Sequence, residues 1–347
     1  MNLLKREQVV LSEYTTLKTG GSADFLITVT TVDELTAAVL FAQANNLPLL
    51  VLGGGSNVLI DDAGFAGVVI LMHIMGRVYR RVENEELVEV TYGAGEVLDE
   101  VIAETVTHGY WGLENLSHIP GTIGATPIQN VGAYGVEVSD LISSVTVYDT
   151  MTNTVCVMTP RECVFAYRDS VFKHETHRHY IVVAVSFLLS QIPQPKILYA
   201  DIQAAVMGHS ITQSLIRDTI IAIRAQKFPD WHTVGTAGSF FKNPIITEAE
   251  KERLTMLYPS LPVYPVRSGY MKVSLGYILD KVCNLKGFRK GNIRLYEAQA
   301  LVLVADVGAT TAEILSFASD IVDIVKQKTN IEIECEVTKI FSSLSKN

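Results

Sequence analysis

SHIPGTIGATPIQNVGAYG, residues Ser117–Gly135, is the stretch that decides how the rest of the chain is interpreted. It is rich in glycine and has two prolines, yet Ile119, Ile123, Ile128 and Val131 lie between the small residues. Glycine permits φ > 0 and lets the backbone approach a flat or anionic ligand closely, while the apolar residues would anchor such a loop to a core. The pattern predicts a loop whose backbone N–H groups hold a large cofactor. The alternative is a tight, buried structural turn.

A second glycine cluster, Gly53-Gly54-Gly55-Ser56-Asn57, follows a β-α-β pattern of hydrophobicity near the N-terminus. It does not have the GxGxxG spacing that opens the helix of a dinucleotide fold, and it lacks the GK[ST] of a phosphate-binding loop. Successive amides in a glycine-rich turn can still form an anion-binding nest, and the last two side chains add donors. The cluster therefore predicts a pyrophosphate site and favours the ligand interpretation of the first stretch.

The composition predicts a folded chain of two or three domains. Its 347 residues are 48% hydrophobic and 19% charged, which supplies a sizeable core. The formal net charge of −9 argues against a nucleic-acid partner, but it leaves room for an anionic small substrate in a cleft lined by cations. The longest apolar run, near Tyr180–Leu189, is far shorter than the ~20 residues that span a bilayer, so no membrane association is expected.

The cysteines and the N-terminus point to a cytoplasmic protein. The N-terminal MNLLKREQ lacks the apolar core and the cleavage site of a secretory signal. None of the eight histidines has metal-ligand spacing, so no metal is expected. The four cysteines are scattered without CxxC spacing, as expected for free thiols in a reducing compartment: Cys156, Cys163, Cys283 and Cys335.

Hydrophobic periodicity places several elements. Thr31–Glu34 fits a capping box that opens a helix, and 95–109 and Thr212–Gln226 are further amphipathic helices. Ser190–Pro195 has the composition of a linker, and Ile331–Ile340 is expected to form the last strand. The buried face of the first helix is predicted to hold Leu35, Ala38, Val39 and Ala42.

Seven stretches follow one another, in order, over nearly the whole chain. Through these seven stretches the chain resembles the UDP-N-acetylenolpyruvoylglucosamine reductase family. The length and the tyrosine-bearing segment 190–203 resemble the longer of its two types, type I. The match is specific because several stretches are long and all occur in family order. They are TTLKTGGSA (15–23), LGGGSNVLI (52–60), GLENLSHIPGTIGATPIQNVGAYGVEV (112–138), YRDSVFK (167–173), AGSFFKNP (237–244), AQALVLV (298–304) and IECEV (333–337).

The resemblance implies an α+β architecture. It consists of a two-subdomain FAD-binding fold of the PCMH/vanillyl-alcohol-oxidase type, followed by a C-terminal α+β substrate-binding domain. The FAD-binding domain is expected over residues 1–222, with subdomains of about 1–75 and 76–222. The substrate-binding domain is expected over 223–347, with the boundary close to Lys227-Phe228-Pro229-Asp230.

The family reaction transfers a hydride from NADPH, by way of FAD, to an enolpyruvyl ether, and a proton completes the reduction to a lactyl ether. The ether oxygen makes the double bond electron-rich, so the attached carboxylate must be polarised for charge to accumulate on it. A cation must lie at the carboxylate and a proton donor at the neighbouring carbon. The resemblance implies the cofactors FAD and NADPH, a UDP-sugar enolpyruvyl ether as substrate, a role in peptidoglycan precursor synthesis, and a monomer.

The resemblance also assigns the reacting groups. It makes Arg168 and Glu336 the polarising groups and Ser239 the proton donor. A free serine hydroxyl is a weak acid, so it must be activated by neighbouring charge or by a water, and the sequence leaves that choice open. Without the resemblance, the serine would be read as a turn residue and Arg168 as half of a surface ion pair with Asp169. Glu336 shares a strand face with the glutamates two and four residues before it, and only the family pattern selects it.

Four further positions match those that hold the UDP-sugar in the family: Tyr199, Lys227, Asn243 and Gln299. Tyr134 is counted with them as a substrate-pocket residue. Lys227 offers a point charge for a diphosphate, although a lysine at a helix C-terminus is equally expected from the macrodipole. The Tyr134 ring would line the flavin or substrate pocket, or would otherwise be a packed aromatic. The Gln299 amide enters an apolar run, where it needs a partner.

The flavin contacts are expected from the two glycine-rich stretches. Gly53–Asn57 would hold the pyrophosphate, and parts of Ser117–Gly135 would hold the isoalloxazine and ribityl regions. The predicted cofactor-binding residues are Gly53, Gly54, Gly55, Ser56, Asn57, Pro120, Gly121, Ile123, Gly124, Ile128, Gln129 and Gly132.

Two other functions fit parts of the pattern. A flavin-dependent oxidoreductase of the same fold could act on another substrate, in which case Lys227, Ser239 and Glu336 would not be needed together. A nucleotide-sugar sensor would bind the ligand without consuming NADPH.

Overall fold

Strands and helices are spread over residues 4–267 and 269–341, which are those described by this computed structural model. A π-helical segment, Ile278–Val282, continues the seventh helix. The helices are α1 Val32–Ala44, α2 Leu98–Thr107, α3 Pro160–Cys163, α4 Ala200–Val206, α5 Gln213–Lys227, α6 Glu248–Leu257, α7 Leu275–Tyr277 and α8 Thr311–Thr329.

The strands are short, and most pair in antiparallel fashion. They are β1 Lys5–Val10, β2 Ser22–Val29, β3 Leu49–Leu52, β4 Val58–Ile60, β5 Phe65–Met72, β6 Arg77–Arg81, β7 Leu87–Gly93, β8 Gly132–Ala133, β9 Val136–Glu137, β10 Ile142–Asp149, β11 Thr154–Met158, β12 Tyr180–Ser190, β13 Gly235–Ser239, β14 Ile245–Thr247, β15 Val263–Arg267, β16 Tyr270–Val273, β17 Arg289–Lys290, β18 Ile293–Leu295, β19 Val302–Ala305 and β20 Thr338–Ile340.

The chain divides into two units. The predicted boundary at residue 222 places all N-terminal residues in one domain. The outermost residues of the two predicted domains, 1–3 and 342–347, lie outside the described ranges. In the structure, two short N-terminal segments belong to the second unit. The first unit is Met1–Val9, Ala23–Gly55 and Ala66–Arg224, and the second is Val10–Ser22, Ser56–Phe65 and Ala225–Asn347.

Helix α1 of the first unit begins where the sequence predicts. The Thr31 side chain accepts a hydrogen bond from Glu34 N–H. The Glu34 carboxylate accepts from Thr30 N–H, one residue earlier than a capping box requires. Asn46, at φ +53°, follows the last turn. The four apolar residues predicted for the inner face are all buried, at 0–3% exposure.

Two sheets form the framework of the first unit. One has the order β1-β2-β5-β3, with β3 parallel to β5, and the other has the order β11-β10-β12-β7-β6 and is antiparallel. The pairing of β12 with β7 runs from Ala184↔Gly93 to Ser190↔Leu87. Helix α2 packs on this second sheet together with Ile123, so the start of the glycine-rich stretch is anchored in the core.

The second unit has its own core. Its sheets are β13-β19-β18-β17 and β14-β16-β15, and β20 pairs in parallel with β4. The α8 N-terminus has a full capping box between Thr310 and Glu313. Phe240, Phe241 and Phe317, each 1% exposed, lie at the centre of the core.

Two predicted elements differ from the structure. The last strand covers only Thr338–Ile340, because residues 334–336 are held by hydrogen bonds to the segment after β13 instead of a regular ladder. Ser190–Pro195 does not link the two units. It lies inside the first, where the Ser190 hydroxyl donates to Ile192 O and accepts from Ile192 N–H.

One ion pair ties three segments of the first unit together. Asp99 on α2 accepts two hydrogen bonds from Arg217 on α5, at 2.6 and 3.0 Å, and one from His118 N–H at 2.6 Å. Burial alone would raise the pKa of Asp99, but these hydrogen bonds outweigh it and hold the pKa below its usual value. The pair therefore stabilises the fold at pH values above ~4, where the unfolded carboxyl is also ionised.

We expect Asp99→Asn to lower the free energy of unfolding by about 1–3 kcal/mol at neutral pH, because charged hydrogen bonds are lost. The thermal midpoint should fall with it. A depressed folded-state pKa gives stability that is lost as pH falls through that pKa. The gap between wild type and variant should therefore close on acidification. Thermal unfolding followed by circular dichroism between pH 3 and 8 measures this.

The control is Glu332→Gln, which breaks the exposed Lys326–Glu332 pair. It should leave the midpoint almost unchanged. A gap for Asp99→Asn that is constant at every pH would contradict the assignment of the ion pair.

Candidate active site

The two glycine-rich stretches touch each other where Gly53 and Gly54 lie against Gly121 and Thr122. A Cβ on Gly54 would lie 3.1 Å from Gly121 Cα, and a Cβ on Gly53 would lie 2.2 Å from Thr122 Oγ1. A real Cβ essentially never approaches another atom as closely as the second distance. Glycine at 53 is therefore a condition of this contact, and not only a means to form a turn.

The residues at this contact fit a flavin dinucleotide. Within the described residues, the main-chain N–H groups of Gly54 and Gly55 donate no hydrogen bond, as a nest for a pyrophosphate requires. Gly124 is equally tightly placed, since a Cβ there would lie 2.6 Å from Ala94 Cβ. Glycine at position 124 therefore serves the packing of this stretch against Ala94.

Not every predicted cofactor residue offers a side chain to a ligand. Ile123 is fully buried in the core, and its N–H donates to Glu96 O. Ile128 and Gln129 are half-buried. Ser56 and Asn57 belong to the second unit, so the unit boundary falls inside the Gly53–Asn57 cluster. The individual flavin contacts stay predictions.

Tyr134 occupies the tip of a tight hairpin. Strands β8 and β9 pair as Gly132↔Glu137 and Ala133↔Val136, which leaves Tyr134 and Gly135 as a two-residue loop. Both have φ > 0, at +49° and +83°, the pattern of a type I′ turn. Asparagine or glycine is the usual first residue of such a turn, so a tyrosine there is strained by about 1 kcal/mol. Burial raises the pKa of its phenol.

Arg168 also lies in a strained two-residue turn of the first unit. Ala166 and Asp169 exchange both backbone hydrogen bonds, and Arg168, the second residue between them, has φ +54°. Its guanidinium donates to Gly132 O at 3.0 Å. The Lys173 ammonium donates to the Arg168 carbonyl at 3.1 Å. The predicted polarising cation is thus held beside the glycine-rich stretch.

Asn130 is a site residue that the sequence did not single out. It is 1% exposed, and its Nδ2 donates to Ala166 O and to Glu137 Oε2 while its Oδ1 accepts from Ser139 N–H. It therefore joins the Arg168 turn to the hairpin that carries Tyr134. Because the polar Gln129 precedes it and Val131 follows it, no local pattern marks this asparagine as buried.

The segments that carry Ser239 and Glu336 are hydrogen-bonded to each other in the second unit. Ser239 ends β13 and pairs with Val302 of β19. The next residue, Phe240, accepts a hydrogen bond from Glu336 N–H at 2.8 Å. The two glutamates before Glu336 on its predicted face are exposed, whereas Glu336 itself is half-buried. The sequence pattern alone could not make this distinction.

Asn57 holds the same segment from the other side. Its Nδ2 donates to Glu336 O at 3.3 Å, and its carbonyl accepts from Thr338 N–H at 3.0 Å. The sequence assigned Asn57 to the pyrophosphate. The structure adds that it fixes the backbone of the residue predicted to polarise the substrate.

Three predicted substrate residues lie in the second unit. Asn243 Oδ1 accepts the N–H of Leu275, the first residue of α7, at 2.9 Å. Gln299 precedes β19 and packs on Gly276, where a Cβ would lie 3.1 Å from its Oε1. Asn243 and Gln299 thus both flank the start of α7. Lys227 is the last residue of α5 and is half-buried.

Comparison with known proteins identifies the family. Residues 23–158 match the FAD binding domain family, and residues 229–340 match the family described as UDP-N-acetylenolpyruvoylglucosamine reductase, C-terminal domain. The UDP-N-acetylenolpyruvoylglucosamine reductase of Photobacterium profundum is 38% identical over 331 residues, covering 95% of this chain and 94% of that protein. The chain belongs to the UDP-N-acetylenolpyruvoylglucosamine reductase family.

Two further reductases agree with this assignment. The protein of that name from Cupriavidus pinatubonensis is 40% identical over 304 residues, covering 87% of this chain and 89% of that protein. The crystal structure of the Thermus caldophilus reductase has a TM-score of 0.67 at 24% identity, covering 98% of this chain and 99% of that one. The latter shows the shared fold.

The predicted family, fold class and FAD cofactor are therefore confirmed, and the chain is an FAD-dependent oxidoreductase. No helix in the described ranges is long and apolar enough to cross a membrane. Likewise, the described histidines, cysteines and acidic residues form no cluster that could hold a metal.

The contact between the glycine stretches can be tested by a paired substitution. We expect Gly53→Ala to weaken FAD binding at least about tenfold, because the new methyl group displaces Thr122 and separates the stretches. Thr122 Oγ1 is buried without a hydrogen-bond partner in the described residues, so its removal costs little. Gly53→Ala combined with Thr122→Ala should therefore recover most of the affinity. FAD titration of the apoproteins measures both.

Thr122→Ala alone is the control and should bind FAD nearly as wild type. Wild-type affinity in the single Gly53→Ala variant would show that this contact does not shape the cofactor site.

Proposed function

We propose that the protein reduces UDP-N-acetylglucosamine enolpyruvate to UDP-N-acetylmuramate with NADPH as reductant, in peptidoglycan precursor synthesis. The match over nearly the full length of the Photobacterium profundum reductase is the observation that supports this most strongly. The FAD-binding match supports FAD as the cofactor, and the contact between the glycine stretches supports a cofactor site there. When bound, FAD would supply to the substrate the hydride that NADPH provides.

The chain's own groups would act on the substrate carboxylate and on one carbon. Arg168 and Glu336 are proposed to polarise the carboxylate, so that negative charge can accumulate on it. Ser239 is proposed to deliver the proton to the carbon next to the one that receives the hydride. What supports this is that Arg168 is held beside the glycine-rich stretch, while the backbones of Ser239 and Glu336 are neighbours.

The remaining assignments follow from the same proposal. Residues 1–222 would bind FAD, with subdomains of about 1–75 and 76–222, and residues 223–347 would bind the UDP-sugar. The substrate contacts would come from Tyr134, Tyr199, Lys227, Asn243 and Gln299. The enzyme would be cytoplasmic and monomeric. Light scattering on the purified protein measures its oligomeric state.

Spectroscopy on the purified protein tests the proposal. The protein should be yellow, should bleach with NADPH without oxygen, and should regain its colour when the enolpyruvyl sugar nucleotide is added in stopped flow. Bleaching without recovery would point to a flavin enzyme for another substrate. Nucleotide-sugar binding without NADPH consumption would point to a sensor. A colourless protein that takes up no FAD would contradict the proposal.

The proton donor has its own test. We expect Ser239→Ala to lower turnover by about 10²–10⁴, the usual effect of losing a general acid. FAD binding and reduction by NADPH should survive, because neither step delivers a proton to the substrate carbon.

Ser143→Ala, which removes a hydroxyl bonded to Glu89 on the first unit's sheet, serves as the control. Its turnover should match the wild type. Wild-type turnover in Ser239→Ala would rule out this serine as the donor.

A further inference from the structure

The turn that carries Arg168 is fastened on both flanks to the glycine-rich stretch Ser117–Gly135. Before the turn, Asn130 Nδ2 donates to Ala166 O at 3.1 Å. After the turn, the Ser170 hydroxyl donates to Ile128 O at 2.6 Å. Both donors are buried, at 1% exposure, and each joins a side chain of one segment to the main chain of the other. The two bonds therefore fix the backbone of the turn relative to the stretch.

The guanidinium of Arg168 lies against a position of the same stretch that has no side chain. Arg168 Nη2 donates to Gly132 O at 3.0 Å. A Cβ on Gly132 would lie 3.4 Å from Arg168 Nη1 and 2.9 Å from Glu137 Cγ. A larger residue at 132 would therefore crowd both the cation and the glutamate. The turn and its arginine thus meet the stretch at three alternate positions, 128, 130 and 132.

Asn130 makes more contacts than the other two positions. Its Nδ2 also donates to Glu137 Oε2 at 2.8 Å, and its Oδ1 accepts from Ser139 N–H at 3.1 Å. Two acceptors face one end of the amide and a donor faces the other, so the contacts determine its orientation. Its own backbone has φ +47°, a left-handed conformation that asparagine adopts more readily than most residues. One side chain thus joins the Arg168 turn to strand β9 and the residues after it.

The backbone of Arg168 needs such support. It has φ +54°, which an arginine side chain disfavours. Conformations of this kind persist only where the surroundings over-determine them, and they concentrate at functional positions. A buried hydrogen bond contributes about as much stability as one left-handed residue costs. The bonds from Asn130 and Ser170 together can therefore hold the turn in this conformation.

We propose that Asn130 is a positioning residue that sets where the Arg168 guanidinium meets the substrate carboxylate. This rests on the proposed function, in which Arg168 polarises that carboxylate. Asn130 would act through the arginine and not on a reacting atom. A displacement of about 1 Å in a group that acts on the substrate can lower the rate about 10²-fold. Because charge accumulates on the carboxylate only during the reaction, the rate should suffer more than the affinity.

The test isolates the step on the substrate in Asn130→Gly holoenzyme. Glycine tolerates φ > 0, so this change removes the side chain without straining the backbone. The enzyme is reduced with dithionite without oxygen and mixed with the enolpyruvyl sugar nucleotide in stopped flow. We expect the rate of flavin reoxidation at saturating substrate to fall about 10- to 100-fold. The affinity of the oxidised holoenzyme for the same compound, measured by calorimetry, should change by less than about fivefold.

Asn130→Asp separates the donor from the space that the side chain fills. Its carboxylate has the same size and can still accept from Ser139 N–H, but it presents an acceptor to Ala166 O and to Glu137. This variant should therefore slow reoxidation at pH 8 at least as much as Asn130→Gly. If the asparagine only filled space, the isosteric variant would stay close to wild type.

A double-mutant cycle with Arg168→Ala shows whether Asn130 acts through the arginine. If it does, Asn130→Gly should change the reoxidation rate of Arg168→Ala by less than about twofold. The matched control is Asn153→Gly in the connection between β10 and β11. Asn153 also has a left-handed backbone, at φ +56°, and its Oδ1 accepts from the Tyr148 hydroxyl at 3.0 Å. The same substitution there should leave the reoxidation rate unchanged.

Any one of five results would overturn the inference. They are an unchanged reoxidation rate in Asn130→Gly, a loss confined to substrate affinity, a wild-type rate in Asn130→Asp, full additivity with Arg168→Ala, and failure of both Asn130 variants to bind FAD. A reduced wild-type holoenzyme that the enolpyruvyl compound does not reoxidise would reject the proposed function instead, and this inference with it.

Discussion

The proposed cofactor site depends on one contact, in which two glycines without side chains lie against a second glycine-rich stretch. Gly53 and Gly54, at the end of strand β3, lie against Gly121 and Thr122 so closely that a single methyl group would part them. Ile123 anchors the Ser117–Gly135 stretch in the core of the first unit. The main-chain N–H groups of Gly54 and Gly55 donate no hydrogen bond within the described residues, so they can serve an anionic ligand. The match of residues 23–158 to the FAD binding domain family supports FAD as the ligand of these stretches.

Two of the residues predicted to act on the substrate are held in backbone conformations that their side chains disfavour. Tyr134 and Arg168 each lie in a two-residue turn with a left-handed backbone, where glycine or asparagine would be less strained. A buried asparagine compensates in the second of these turns, since Asn130 binds the carbonyl of Ala166. Local strain balanced by buried hydrogen bonds is how a rigid site is maintained.

The sequence predicted more of the fold and the family than of the geometry. Periodicity located α1 and its buried face, and seven ordered motifs identified the family. It missed Asn130, because a buried side-chain hydrogen bond to a distant carbonyl leaves no local pattern. It also extended the final strand too far, since pairing partners are set by tertiary contacts and not by strand propensity. Glu336 could be distinguished from its neighbours only by its position in the fold.

The central claim is that the two touching glycine stretches together bind FAD. Hydrogen–deuterium exchange on the apoprotein, with and without FAD, tests it most directly, because bound cofactor should protect the amides it engages. The account predicts slower exchange in peptides containing Gly54 and Gly55 and, in the same titration, in peptides containing Gly121. Protection of only one stretch, or of neither at saturating FAD, would contradict it.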